Sequence, residues 1–379
     1  MTSGSNCATI EEKKGVKTMN GAYSAVNLPL GEEYINQNEF FEELIDATAR
    51  LEVYKEKIND SKLDSSWFMP TLQHKEALAS SVLEGTQATL DGVLTNQVSP
   101  NEKDKNLNEV RNYYLATLEG YDYLQRHDFS HEFFYKIHET LMIGNVRKPK
   151  TIGAYRTEQN YIGKNDPSHS ITFIPPKHED VPALMENLIE YINKPTDKFR
   201  PLVRAAIIHA QFETIHPFMD GNGRVGRMLI PMYLFFQKQI DFPFFFISEA
   251  LERDKIKYYS LLNDIRYKNA WNEWIKFFLD TVVKQCDKYI GIVSQINELY
   301  DNHMRIAKDL ARSSNIVDVI NTLYKYPIIT AKQLEQLSNV PMTSINRYLS
   351  TLVENKILYT DQKSRNRTYF YCDLLDILR

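Results

Sequence analysis

The chain has 379 residues, 43% of them apolar, and a formal net charge of −4, enough for two or three packed domains and too little positive charge for a global attraction to nucleic acid or membrane. Its three cysteines, Cys7, Cys286 and Cys372, are odd in number and far apart, which argues against a disulfide framework and for a reducing, cytoplasmic setting. No apolar run approaches a membrane span, and Met1 to Tyr23 carries lysines without the apolar segment of a signal peptide.

Residues 1–35 read as a loosely held arm, anchored near Leu28-Pro29-Leu30. A helical region follows over 36–98. Asn38 opens an amphipathic helix through Phe41, Leu44, Ile45, Thr48, Leu51 and Val53, the stretch from Ser61 to Pro70 breaks it, and a second helix is predicted over 74–90. In that second helix Ser80 and Glu84 stand four apart on one face. Gly85 costs about 1 kcal/mol relative to alanine in a helix interior, so a helix end or a close backbone approach is expected there.

Ser99-Pro100-Asn101-Glu102 reads as a capping box that opens a helix toward His127, and Ser130 caps another with Phe133, Ile137 and Leu141 facing inward. After Gly144 the texture changes. Thr151 to Arg156 and Ser170 to Pro176, with their glycines, prolines and β-branched residues, predict a small hairpin whose open edge could accept an added strand. Glu179 to Asn193 is again helical.

Pro201 to Ile215 predicts a buried helix, ended at His216 because a residue before proline is pushed out of the α region. Gly221-Asn222-Gly223 tolerates positive φ, so the backbone can fold into an anion-binding nest, and a helix over Met228 to Gln237 places that nest at a helix N-terminus. Arg224 and Arg227 lie where the macrodipole disfavours cations, and a polyphosphate would answer both guanidinium forks. Asp220 is then a hard oxygen ligand for the Mg²⁺ that accompanies nucleoside phosphates, and His216, titrating near neutrality, is the proton acceptor. Gly221, Gly223 and Gly226 also satisfy G-x-G-x-x-G, but a helix precedes them where the dinucleotide signal needs a strand. His209 reads as a core histidine.

Beyond Gln239 the pattern stays helical over Glu249 to Leu262, Trp271 to Val283 and about Lys288 to Leu310, with Trp271, Trp274, Phe277 and Phe278 as a core stripe. Residues 313–379 read as a separate domain. Helices over Asn315 to Tyr326, Ala331 to Leu337 and Met342 to Asn355, then a hairpin of Leu358 to Thr360 and Arg367 to Cys372, resemble a winged helix. Thr343, Ser344, Asn346 and Arg347 would occupy its recognition helix, and Lys363, Arg365 and Arg367 its wing. Eight Lys or Arg against six Asp or Glu in this segment is a weak excess for a duplex binder, so DNA contact and protein contact both stay open.

The run His216, any residue, Phe218, any residue, Asp220-Gly221-Asn222-Gly223-Arg224, two residues, Arg227 resembles the Fic family motif at every fixed position. The resemblance implies a mostly α fold, with a catalytic core over 99–311 bearing a β-hairpin flap, followed by the winged helix. It implies transfer of AMP from ATP, with Mg²⁺, to a Ser, Thr or Tyr hydroxyl of a target protein, the chain itself included. His216 resembles the general base, Asp220 the magnesium ligand, Gly221, Asn222 and Gly223 the phosphate cradle, and Arg224 and Arg227 the ligands of the outer phosphates. Ser80, Glu84 and Gly85 match the family's inhibitory helix, whose glutamate reaches the second motif arginine. Ile171, Thr172, Phe173 and Ile174 resemble the flap that registers a target hydroxyl over the histidine. The phosphotransferase branch resembling Doc carries lysine where this chain has Gly223, which implies nucleotidyl transfer. A homodimer, removal of AMP with Glu84 positioning water, and a winged-helix regulator whose body only senses nucleotide are left open.

Overall fold

The computed structural model describes residues 10–13, 16–19, 21–101, 103–144, 152–163, 171–243, 245–311, 314–363 and 365–379. In chain order they form β1 (Ile10–Lys13), β2 (Val16–Met19), α1 (Phe41–Asn59), α2 (Ser65–Leu83), α3 (Leu90–Val98), α4 (Lys105–Leu124), α5 (His131–Leu141), β3 (Ile162–Gly163), β4 (Ile171–Phe173), α6 (Val181–Asn193) and α7 (Pro201–Ile215). The chain continues with α8 (Asn222–Phe236), α9 (Ser248–Arg253), α10 (Lys255–Lys268), α11 (Trp271–Ala311), α12 (Asn315–Lys325), β5 (Ile328–Thr330), α13 (Ala331–Ser338), α14 (Met342–Glu354), β6 (Tyr359–Thr360), β7 (Thr368–Phe370) and α15 (Cys372–Leu378). The architecture is mostly α. Among the described residues no helix is long and apolar enough to cross a membrane.

Two compact units divide the chain, the first made of Met1–Leu44, Leu115–Gln239 and Asp254–Leu279 and the second of Ile45–Tyr114, Ile240–Arg253 and Asp280–Arg379. In the first, α7 is the axis of the core, and α6, α8 and α10 pack on it. Its residues from Ala205 to Ile215 are all buried. His209 is fully buried, accepting from the Tyr258 hydroxyl and donating to the Gly226 carbonyl, and burial lowers its pKa to about 3. It is a core histidine. Trp271, Trp274, Phe277 and Phe278 are buried as well, the Trp274 indole donating to the Ala206 carbonyl at 2.9 Å.

In the second unit α2 packs on α9 and α12. The buried Glu76 carboxylate accepts from the Ser248 N–H and hydroxyl, which caps α9 from a distance. The C-terminal segment runs helix, strand, two helices, two strands and a final helix, with the sheet in the order β5-β7-β6, all antiparallel. β5 and α15 add to the three helices and hairpin expected there.

Several boundaries differ from the sequence reading. Pro70 lies inside α2, whose start is capped by the Asp64 side chain, so the break ends sooner than Pro70. The helix expected over 74–90 stops at Leu83, and a separate α3 begins at Leu90. Ser99 closes α3, and α4 is capped by Asp104, whose carboxylate accepts from Asn106 and Leu107; Glu102 lies outside the described residues. The first strand of the hairpin is Ile162–Gly163, paired antiparallel with Ile171–Phe173, whereas Gly153 to Arg156 is a turn running into irregular backbone; Thr151 and Ser170 lie outside the described residues. α11 is one continuous helix where two were expected. The arm from Tyr23 onward is fastened to the first unit by hydrogen bonds, and β1 pairs with β2.

Candidate active site

The site grows from the end of α7. His216 has left-handed backbone (φ 51, ψ 59), a conformation that costs a non-glycine residue roughly 1–2 kcal/mol, and its N–H still bonds the Phe212 carbonyl. Two side chains hold the strained turn by its carbonyls. Arg156 is 2% exposed; its Nε donates to the His216 carbonyl at 3.0 Å, and its Nη2 to the carbonyls of Ile215 and Pro176. Its own N–H bonds the Pro217 carbonyl at 2.8 Å. Burial lowers its pKa to about 10, so it stays charged at neutral pH. The Asn160 amide donates to the carbonyls of Phe218 (2.9 Å) and His216 (3.4 Å).

The imidazole is oriented from α7 itself. His216 Nδ1 lies 3.3 Å from the Glu213 carbonyl and 3.9 Å from the Glu213 carboxylate. Both are acceptors, so the hydrogen-bond network puts the proton on Nδ1 and makes Nε2 the basic nitrogen.

The loop from Phe218 to Asn222 is closed on itself. Asn222 accepts from the Phe218 N–H and donates to the Phe218 carbonyl, both at 2.8 Å, so this side chain builds the loop rather than lining it. Gly221 is left-handed (φ 80), and a Cβ there would meet the Met142 sulfur at 3.1 Å and Leu141 at 3.4 Å. It is the single positive φ of the three; Asn222 and Gly223 already belong to α8, which begins six residues before the expected Met228. His138 of α5 fixes the loop from below. Its Nδ1 accepts from the Gly153 N–H, so Nε2 carries the proton and donates to the Asp220 carbonyl at 3.1 Å, while its ring stacks on Phe218 at 3.8 Å. Burial lowers its pKa to about 4 and keeps it neutral.

The N-terminus of α8 has the makings of an anion site. No side chain caps it, and the first intrahelical bond is Val225 to Gly221, so the N–H groups of Asn222, Gly223 and Arg224 precede the helical ladder. Arg224 is buried beside them, and its Nε and Nη1 have no partner among the described residues. Buried guanidinium nitrogens without a partner are costly, and phosphate oxygens would satisfy them. Arg227 is fully buried in the following turn. The Asp220 carboxylate is 45% exposed, close enough to solvent for a hydrated cation to approach. Among the described residues no cluster of three or more His, Cys, Asp or Glu forms a metal cage. Gly226 has a packing role, since a Cβ there would lie 2.3 Å from Glu213 Oε1.

Of the predicted flap, Phe173 is buried under the Arg266 guanidinium, whose carbon lies 3.9 Å from the ring centroid. Arg266 also donates to the Glu213 carbonyl (3.0 Å) and the Thr214 hydroxyl (3.2 Å), tying the hairpin to the last turn of α7. The Ile174 carbonyl accepts from the Tyr23 N–H, so that position is already taken; Ile171 and Thr172 are described as strand backbone only.

Ser80, Glu84 and Gly85 belong to the second unit. Ser80 is buried, Glu84 is the exposed C-cap of α2, and Gly85 is left-handed (φ 98), the helix end expected at that position. In the C-terminal segment Thr343, Asn346 and Arg347 are exposed on α14 and Ser344 is half-buried. The cations expected on a wing are partly spent locally: Lys363 pairs with Asp361 at 3.0 Å and Arg367 donates to the Lys363 carbonyl.

Comparison with known proteins adds the lineage. Residues 128–234 match the Fic/DOC family and residues 41–122 its N-terminal region. The chain belongs to the Fic/DOC family. Among curated Fic relatives, "Protein adenylyltransferase Fic" of Aedes aegypti is 26% identical over 223 residues, covering 58% of this chain and 40% of that protein. "Protein adenylyltransferase fic-1" of Caenorhabditis briggsae is 32% identical over 111 residues, covering 29% of this chain and 20% of that protein. The chain thus spans two fifths or less of the length of these relatives. A crystal structure of a Fic family protein from Desulfovibrio desulfuricans superposes with a TM-score of 0.58 at 20% identity, over 90% of this chain and 98% of the other. Fic-1 of Caenorhabditis elegans gives 0.51 at 18% identity, over 67% of this chain and 74% of the other. At such identities the likeness speaks to the Fic fold.

The sequence reading missed Arg156, Asn160, His138 and Glu213. They act on main-chain atoms or on a ring nitrogen, and nothing in their spacing announces it.

Proposed function

We propose that this Fic protein transfers AMP from ATP to a Ser, Thr or Tyr hydroxyl of a protein. The observation that carries the reading is the uncapped start of α8 beside buried Arg224, whose Nε and Nη1 have no partner among the described residues, an anion site one loop away from a histidine held by its carbonyl. The N–H groups of Asn222, Gly223 and Arg224 and the two motif guanidiniums take the phosphates, and His216 Nε2 accepts the proton of the attacking hydroxyl. Asp220 would hold Mg²⁺, which neutralises phosphate charge when bound. The hydroxyl oxygen forms the new bond to the α-phosphorus, and pyrophosphate leaves. The names of the curated relatives support this chemistry. The hairpin β3–β4 is the docking place for the target, and residues 313–379 are a winged-helix contact module. The cytoplasmic setting read from the scattered cysteines belongs to the same proposal.

Incubated with α-³²P-ATP and Mg²⁺, the protein labels itself or a partner, whereas γ-³²P-ATP leaves no label, and His216→Ala lowers the rate by roughly 10²–10⁴-fold. Label from the γ position, or undiminished labelling by the alanine variant, would sink the mechanism. A regulator that only senses nucleotide gives neither label.

Glu84 is proposed as a brake on the same reaction, competing as a carboxylate for the anion pocket at Arg227. The motif Ser80-Glu84-Gly85 upstream of a complete Fic motif supports it. Glu84→Gly then raises turnover on the order of a hundredfold with little change in ATP affinity. A gain that survives Arg227→Ala would show that the brake does not act through this pair.

A further inference from the structure

The arm that precedes α1 meets the hairpin in one specific way. The Tyr23 N–H donates to the Ile174 carbonyl at 3.0 Å, the kind of main-chain bond by which an added strand attaches to a hairpin. The Tyr23 ring packs on Phe173 with centroids 5.6 Å apart, while Arg266 lies over the same Phe173 ring. Phe173 is 1% exposed in this arrangement. Two side chains of the first unit then grip the arm by its backbone: Gln211 donates to the Val26 carbonyl at 2.7 Å, and Asn187 exchanges two hydrogen bonds with Leu28, at 2.8 and 2.9 Å. Leu28 itself is buried. The hydrogen bonds at Val26 and Leu28 read main chain, with the Leu28 side chain buried beside them. At Tyr23 the surface reads a side chain as well.

We propose that Phe173 and the Ile174 carbonyl form a docking site for an extended peptide segment bearing an aromatic residue, and that this chain's own residues Gly21 to Leu30 hold the site. The inference rests on the hairpin being the target-docking element, and it adds the chemistry of the partner: an aromatic ring over Phe173, a free N–H for Ile174, and an apolar residue about five positions on. A tethered arm sits at an effective concentration on the order of millimolar, so an outside segment gains the site only by offering the same contacts or when the arm is released.

The test uses a fluorescent decapeptide of the arm's own sequence, Gly-Ala-Tyr-Ser-Ala-Val-Asn-Leu-Pro-Leu, added without ATP to the full chain. Tyr23→Pro removes both the N–H and the ring from the resident arm. The peptide is expected to bind Tyr23→Pro at least tenfold more tightly than wild type, and a peptide with alanine in place of its tyrosine loses most of that binding. Tyr23→Phe, which keeps the N–H and the ring, behaves as wild type. Equal binding to wild type and Tyr23→Pro, no binding to Tyr23→Pro, or indifference to the peptide's tyrosine overturns the inference. Because no nucleotide is present, the outcome is independent of AMP transfer: a chain that docks the peptide in this pattern yet labels nothing keeps the docking site and loses the transferase reading.

Discussion

Helices α2 and α7 both end at a residue with left-handed backbone, and they reach it by different means. At the end of α2 the residue is Gly85 (φ 98), the Gly85 N–H bonds Val82 and the Thr86 N–H bonds Ser81, a Schellman ending in which a Cβ would meet nothing within 4 Å. At the end of α7 the residue is His216, which carries the strain of a Cβ and is held by Arg156 and Asn160. A glycine would serve α7 better as a helix end. The difference supports the role proposed for the His216 side chain, since the surrounding groups hold an unfavourable backbone in place that a glycine would adopt freely.

The largest expected difference is sensitivity to acid. The loop after α7 hangs on a neutral His138, whereas the ending of α2 is closed by the main-chain bonds of Gly85 and Thr86, with no histidine in them. Burial lowers the pKa of His138 from 6.5 to about 4, so between those values the unfolded chain binds a proton that the folded chain refuses. Stability is therefore full above about pH 6.5 and falls as the pH drops toward 4, by on the order of 3 kcal/mol from this residue. Urea denaturation at pH 7.5 and at pH 5 measures it. In His138→Gln, which keeps an N–H donor and cannot titrate, the slope between the two pH values becomes shallower; an unchanged slope breaks the assignment.

Next in size is the loss of the guanidinium that supports His216. Lysine at 156 can reach one carbonyl and not a fan of them, so Arg156→Lys lowers kcat by about a hundredfold while the ATP Kd stays within about twofold. Kinetics and calorimetry on the same preparation decide it. A proportional loss of ATP affinity would mean that Arg156 supports the fold in general and not the histidine.

The smallest effect reads the backbone strain directly. His216→Gly and His216→Ala both remove the imidazole, and the glycine variant is expected to be the more stable by about 1 kcal/mol because it relieves the left-handed Cβ. At Gly85 the same exchange runs the other way, with Gly85→Ala less stable than wild type by about 1 kcal/mol. Equal stabilities for the two His216 variants would show that the turn is not strained.

Much of this was legible beforehand because it is local. The motif from His216 to Arg227, the Ser130 cap and the aromatic stripe on α11 are short-range patterns, and the backbone follows them. What was not legible is long-range and runs through main-chain carbonyls: Arg156 lies 60 residues from His216, and His138 lies 82 from Asp220. Any arginine can bond any carbonyl, so no spacing marks the pair. Ser99 misled for a different reason. Its capping signature is real, but the helix before it was unrecognised, and Ser99 closes α3 where Asp104 opens α4. In Gly221-Asn222-Gly223 the tolerance of positive φ suggested a nest ahead of a helix starting at Met228, whereas packing of α8 on α7 brings two of the three residues into the helix.

One guanidinium bonds both the Pro176 carbonyl, just beyond β4, and the His216 carbonyl. Its nitrogens are fixed in a rigid plane, so the two carbonyls are spaced by covalent geometry and not by a soft contact. Hairpin and histidine turn therefore share a pivot. A tug on the strand end arrives at the histidine's own peptide bond without crossing any side chain of the motif; with the hairpin as the proposed docking place, Arg156 would be a mechanical gauge, passing how squarely a guest is seated on one side to the aim of an imidazole on the other.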